Sequence, residues 1–233
     1  MKYPNFRYEG AVWRKGYKIV AGVDEVGRGA LAGPVVAGCV VFKKHFKPLK
    51  DGNTGELPII NDSKKLSPRK REIADVWIKQ NALTWGIGRT EASGIDRIGI
   101  VRATNRAIRE AIKNANYRKD IKVQYLLLDA FYIPYIKGMR MPLKRHRKRG
   151  NQNDIGNSQQ TAIVKGDQVS FSIAAASIIA KVYRDRLMTR LAERNIYRKY
   201  AWDKNKGYGT LYHRRMLKRY GKSPLHRKTF CNI

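Results

Sequence analysis

An apolar run that closes on two adjacent carboxylates, Asp24 and Glu25, and then enters Gly27-Arg28-Gly29 restricts the possible folds of this chain more than any other feature. The stretch Val23 to Pro34, VDEVGRGALAGP, joins an alternating segment, Lys18 to Val23, to a β-branched run, Val35 to Phe42. Such patterning predicts two neighbouring strands, with the glycines and Pro34 forming their connection. Acids are rare inside apolar strands unless something compensates their charge. This chain of 233 residues has 49 Lys+Arg and only 18 Asp+Glu, so a carboxylate pair placed there calls for a cause other than solubility. A bound metal ion is the cause favoured by the residues.

A formal charge of +31 implies strong self-repulsion unless the protein works against a polyanion, and nucleic acid is the leading partner. A membrane is not expected: the longest apolar stretches, such as Val35 to Phe42, are glycine-interrupted and far shorter than a bilayer span. The first twenty residues lack the apolar run and cleavage site of a secretory signal, so a cytoplasmic protein is expected. Cys39 and Cys231 make neither a disulfide framework nor a zinc site and read as reduced thiols.

The remaining pattern is mixed α/β. Ser67 caps a helix that has Pro68 at its first position and continues through Ile73, Val76 and Trp77. Leu83 to Thr90 reads as a third strand, and Ile95 to Asn116 as a helix lying across the sheet. Tyr125 to Leu128 is a strand ending in Asp129, and Thr161 to Val164 is another that leads into Lys165-Gly166-Asp167. Ser172 to Ala192 lacks Gly and Pro and reads as a long helix. Pro48 to Pro58 reads as a surface loop. Lys137, Arg140, Lys144, Arg145, Arg147, Lys148 and Arg149, followed by an Asn/Gln-rich tract, form a basic insertion over about 137–160. It is floppy in the free protein by composition, and it also suits an arm that orders on phosphates.

Asp24, Glu25, Asp129 and Asp167 each sit at or just beyond an apolar strand-like run, where an open α/β sheet would gather them. Four clustered acids repel one another, which divalent cations relieve, and hard oxygen ligands suit Mg²⁺ or Mn²⁺. Two ions about 3.5–4 Å apart activate a water and stabilise a leaving oxygen at phosphorus. For one isolated Asp a cap or a salt bridge is the better account; for the set, the basic surface and the GRG segment favour a phosphodiester substrate. His213 and His226 lie in Arg/Lys-rich stretches, where phosphate contact is preferred to a general-base role. Asp154 sits in the insertion with no strand leading to it, which favours a loop role.

The motifs VDEVGRGALAGPVVAG, NDSKKLSPRKRE, LLLDAF and KGDQVSFSIAAASIIAKVYRD resemble those of type 2 ribonuclease H, and HRRMLKRYGKSPLHRKTF is similar to the C-terminal end of the bacterial form. The resemblance runs from about Lys18 to Phe230. It implies a ribonuclease H-like fold: a mixed five-stranded sheet flanked by helices, with a catalytic domain over 1–193 and a C-terminal helical, substrate-binding extension over 194–233 packed on it. A monomer is expected. The implied activity is metal-dependent endonucleolytic cleavage of the RNA strand of RNA/DNA hybrids. Nicking 5′ to single ribonucleotides embedded in duplex DNA is implied as well, leaving 3′-hydroxyl and 5′-phosphate ends, in ribonucleotide and primer removal.

By motif matching, Asp24, Glu25, Asp129 and Asp167 take the metal-ligand positions. The resemblance assigns Gly27, Arg28 and Gly29 to the ribonucleotide's 2′-hydroxyl and neighbouring phosphate, and Tyr208, in KGYGT, to stacking on the sugar past the junction. Lys64 and Lys65 read as phosphate binders, as do Lys181 and Arg184 on the long helix, where pairing with Asp185 is a competing use. The enlarged interval between Asp129 and Asp167 leaves the fourth acid dependent on the KGDQVSFS motif. Few residues precede the first strand, which disfavours the type 3 subclass with its additional N-terminal domain. Two readings from other classes stay open: a basic protein that coats nucleic acid without cutting it, and a recombinase or resolvase built on the same acids.

Overall fold

Alternating or continuous apolar runs become strands wherever the sheet face they meet is covered, and five of them do so here. The structure, a computed structural model, describes residues 3–48, 58–140 and 158–231. The order is α1 (Arg7–Arg14), β1 (Val20–Val26), β2 (Val35–Val41), α2 (Pro68–Asn81), β3 (Thr84–Thr90), α3 (Ala92–Ile98), α4 (Ile100–Lys119), β4 (Tyr125–Asp129), β5 (Gln160–Ile163) and α5 (Phe171–Ala192). Three short helices follow: α6 (Asn195–Arg198), α7 (Trp202–Asn205) and α8 (Leu211–Tyr220). The strands form one sheet in the order β3-β2-β1-β4-β5. β1 runs antiparallel to β2 and parallel to β4, which is parallel to β5, so the sheet is mixed as expected.

Both faces of the sheet are covered. Ala21 and Val23 of β1 and Leu126 and Leu128 of β4 pack with Ile108 and Ile112 of α4 on one face. On the other, Val40 packs with Trp77 and Ile78 of α2 and Ala175 and Ile179 of α5. Double coverage explains why β2 is buried along its whole length and reads as an unbroken apolar run. Every residue from Phe171 to Ala180 is buried, which accounts for the apolar character of α5 on all sides. Its first turn lies directly on β1 at Gly22, where a Cβ would collide with the Ser172 backbone.

Helix ends follow local chemistry. Ser67 accepts from Lys70 N at the start of α2, and Pro68 occupies the first position, as the sequence predicts. The helix expected over 95–116 is instead two: Gly99, at φ +77°, caps α3 and turns the chain into α4. A residue in that conformation cannot continue a right-handed helix, and its N–H bonds back to the Ile95 carbonyl. Helix α1 had no counterpart in the sequence reading. It docks through buried Glu9, whose Oε1 accepts from Ser170 Oγ, Ser172 N and Ser172 Oγ at the start of α5.

Residues 194–231 share a core with the rest. Tyr200, Trp202 and Leu217 pack with Leu31, Ala32, Met188 and Ala192. The β1–β2 connection is stitched to this segment through Leu31 N to Gly207 O, Gly33 N to Leu225 O and Arg227 N to Leu31 O. Among the described residues no helix is long and apolar enough to cross a membrane. The loop expected between Pro48 and Pro58 falls mostly on 49–57, and most of the basic insertion on 141–157; both lie outside the described residues.

Candidate active site

Strand register brings the acids together. Val23 of β1 pairs with Leu128 of β4 in parallel register, so the next residues, Asp24 and Asp129, emerge side by side at the same end of the sheet. Side chains alternate along a strand, which puts both on the face covered by α5. Glu25, one residue on, points to the opposite face at the strand end. Asp129 Oδ1 accepts from Gly166 N at 2.8 Å, tying β4 to the turn Gly166–Gln168 that carries Asp167. Asp24, Glu25, Asp129 and Asp167 line one cavity of about 370 Å³, together with Ser63, Lys64, Ser177, Lys181 and Tyr208.

The charges in this cavity are not balanced by the protein. Burial first, then the neighbouring Glu25, Asp129 and Asp167, hold the Asp24 carboxyl well above the usual carboxylate range. Burial, with Asp62 and Asp129 nearby, pushes Asp167 up to about 6. Glu25 is raised by burial but partly relieved by Arg28, whose Nη1 lies 3.3 Å from Glu25 Oε1. Oxygen donors held close and short of cations fit a hard divalent ion in their chemistry. Among the described residues, no three His, Cys, Asp or Glu side chains are close enough to enclose an ion as they stand. The acids form walls of a shared cavity, not a closed ligand shell.

Beside the cavity, Gly27 adopts φ +87°, and a Cβ there would collide with the Arg184 side chain. Arg28 and Gly29 are exposed at the turn. The Arg28 guanidinium lies 5.2 Å from the Phe131 ring centroid. Tyr208 is half-buried in the cavity wall, with the Arg184 guanidinium at 5.2 Å and Lys181 Nζ at 5.8 Å from its ring. Lys181 makes the competing pair, its Nζ 2.8 Å from Asp185, and its side chain also lines the cavity. Lys64 lines the cavity; Lys65 is exposed and is not among the lining residues.

Arg184 requires a correction. Its side chain is fully buried, with Nε donating to Pro34 O, Nη1 to Lys206 O and Nη2 to Ala32 O. A guanidinium committed to three carbonyls inside the protein is a brace, not a phosphate contact. The histidines need one as well, since both are buried and neither reaches the surface to meet phosphate. Nδ1 of His213 faces the Tyr208 carbonyl at 2.9 Å, which only accepts, so Nδ1 carries the proton. Nε2 of His213 then accepts from Trp202 Nε1 at 3.2 Å. His226 Nδ1 accepts from Ser223 N at 2.9 Å, leaving its protonated Nε2 to donate to His213 Nε2 at 3.0 Å. Burial, helped by His213, pushes His226 down to about 4, and burial lowers His213. Two neutral imidazoles thus form a relay from Ser223 to the backbone of Tyr208.

Three site residues escaped the sequence reading. Asp62, buried beside Asp167, accepts from Lys64 N and so shapes the turn that presents Lys64. Its signal was the DSKK segment itself, an acid followed by small and basic residues after a loop. Ser177, nearly two helical turns into the buried part of α5, had no signal separate from the apolar run. Arg227 is buried under the Gly27–Gly29 turn, and nothing local distinguishes it from the other cations near the C-terminus.

The family model described as Ribonuclease HII matches residues 21–233. A ribonuclease HII of Caldanaerobacter subterraneus subsp. tengcongensis is 43% identical over 96% of this chain and 78% of its own length. Among solved structures, the ribonuclease H2 of Pyrococcus horikoshii OT3 superposes with a TM-score of 0.62 at 24% identity, covering 91% of this chain and 95% of the other. Bst-RNase HIII in complex with Mn²⁺ superposes with a TM-score of 0.58 at 18% identity over 93% of this chain and 68% of its own. At those identities the two structures speak to the fold: a mixed five-stranded sheet with flanking helices.

Proposed function

The chain belongs to the ribonuclease HII family, endoribonucleases that hydrolyse RNA in RNA/DNA hybrids, and from that premise we propose that it is divalent-metal-dependent and also nicks duplex DNA 5′ to single embedded ribonucleotides. One observation carries the proposal. Four acids from two strand ends and a following turn line a single cavity with Lys64, Lys181 and Tyr208, beside an exposed Arg28-Gly29 turn. Asp24, Glu25, Asp129 and Asp167 would hold Mg²⁺ or Mn²⁺, which when bound supplies an acidified water and charge neutralisation at the phosphate.

The chain's own residues select and orient the substrate. Lys64 and Lys181 on the cavity wall attract the phosphate next to the scissile bond. Glycine at 29, with open space where a side chain would stand, lets the backbone approach a ribose closely, glycine at 27 gives the turn its positive φ against Arg184, and the Arg28 guanidinium, on an exposed side chain, serves the adjoining phosphate. Only the 2′-hydroxyl separates ribose from deoxyribose, so this turn is where the discrimination is made. The half-buried Tyr208 ring stacks on the sugar beyond the junction, and its backbone is held by the histidine relay. Attack from the side opposite the leaving 3′-oxygen gives 3′-hydroxyl and 5′-phosphate ends. This work would take place inside the cell, in ribonucleotide and primer removal.

Incubation with a DNA duplex containing one ribonucleotide tests this directly. Nicking on its 5′ side in Mg²⁺ or Mn²⁺, stopped by EDTA and absent on an all-DNA duplex, is the expected result. Tight binding without product would return the protein to the coating class, and cutting of all-DNA junctions to the resolvase class.

A further inference from the structure

The Arg28 and Gly29 N–H groups donate to nothing within the described protein, and open space lies beside Gly29. Nothing in Gly27-Arg28-Gly29 itself dictates that outward orientation. Directly beneath the turn lies Arg227, 0% exposed, with no carboxylate at ion-pairing distance among the described residues. Its Nη2 donates to Gly27 O and its Nη1 to Arg28 O, each at 2.7 Å, and its Nε donates to Gly33 O at 3.0 Å. Burying a guanidinium without a counter-ion is costly, and burial here pushes Arg227 down to about 9. Three short bonds to one loop are the compensation.

Peptide planarity turns these bonds into an aim. In a trans peptide the C=O and the following N–H point in opposite directions. A Gly27 carbonyl drawn inward therefore sends the Arg28 N–H outward, and an inward Arg28 carbonyl does the same for the Gly29 N–H. The guanidinium is planar and rigid, so both carbonyls are held at once. We propose that Arg227 is a positioning residue for ribose recognition: by drawing the Gly27 and Arg28 carbonyls inward, it turns the Arg28 and Gly29 N–H groups outward as a preformed donor pair for the ribonucleotide. This rests on the reading of the turn as the ribose sensor and adds what holds that sensor in shape. The tip of the C-terminal segment thus sets the selectivity of a site built two hundred residues earlier.

Arg227→Lys keeps the charge and removes the fork. With it are measured kcat/KM for nicking at one embedded ribonucleotide, and Kd in EDTA for that duplex and for its all-DNA counterpart. The expected result is a roughly ten-fold fall in kcat/KM and a similar loss of binding preference for the ribonucleotide, the scale of two neutral hydrogen bonds. Ile112→Ala, in the remote core between α4 and the sheet, serves as the stability control, lowering Tm while leaving the preference unchanged. An undiminished preference in Arg227→Lys overturns the proposal, whether or not activity falls. Hydrogen exchange on the wild type in EDTA covers the case in which Arg227→Lys does not fold: the Arg28 and Gly29 amides gain protection with the ribonucleotide duplex and not with all-DNA, and equal protection by both overturns the proposal. A wild type that neither nicks nor prefers the ribonucleotide duplex sinks the underlying functional reading instead.

Discussion

The acid cavity and the C-terminal segment beneath the Gly27–Gly29 turn are both rich in ionisable groups, yet they handle charge in opposite ways. In the cavity, carboxylates are crowded and left short of cations, so Asp24 and Asp167 are held above their ordinary range. Under the turn, Arg227, His213 and His226, with Arg184 of α5 beside them, are buried and hydrogen-bonded to the protein, and burial lowers the pKa of each. The cavity is poised to gain a partner from outside. The segment has satisfied itself and supplies only shape.

Substitutions separate the two. Asp24→Asn should remove turnover by roughly a thousand-fold or more while hybrid binding survives, because it strips one hard oxygen donor from the cavity without opening the fold. Single-turnover nicking beside a binding titration checks this, and wild-type turnover would break the contrast at its acidic side. Acid acts on both regions, and in the second one through His226. His226 is held at about 4 against 6.5 when unfolded, so the unfolded chain takes up a proton first as the pH falls. The contribution of His226 is therefore complete above pH 6.5, declines between 6.5 and 4 and is lost below that, by roughly 3 kcal/mol, while Asp167, held at about 6 against 3.8 when unfolded, contributes with the opposite sign over the same window. Urea unfolding of the wild type and of His226→Ala across that window reads it as their difference, which should shrink as the pH falls from 6.5 to 4.

Tyr208→Ala tests the seam where the two regions meet, and roughly a ten-fold loss at isolated ribonucleotides is expected from a lost stacking contact. Equal rates on that substrate would give the tyrosine a structural role only. Smallest is Ser67→Ala, at a residue that lines neither region: the lost cap on α2 should cost about 1 kcal/mol in thermal unfolding with nicking unchanged.

Legibility followed the same division. Strands β2, β3 and β4 were readable within a residue or two, since two-sided burial writes itself as apolar runs, whereas β1 runs three residues past its expected end and takes Asp24 and Glu25 into the strand. The break at Gly99 was hidden because apolar spacing continues across it, and only the sign of φ reveals the turn. Arg184 was misplaced for a related reason. On a helix facing an anionic substrate an arginine suggests phosphate, and only the fold shows its guanidinium turned inward onto Pro34, Lys206 and Ala32. Asp62 was passed over in favour of its lysine neighbours because an acid beside a loop looks like a cap, which it also is.

What the order of residues determined by itself is the sheet and the acids on its strand ends, because periodicity and charge are local properties that survive any choice of packing. Tertiary structure alone decided which cations meet solvent and which hold the backbone. A guanidinium has the same five donors in either place, and whether phosphates or carbonyls receive them depends on segments such as Gly27–Gly29 and Arg227 that come together only when the chain closes on itself.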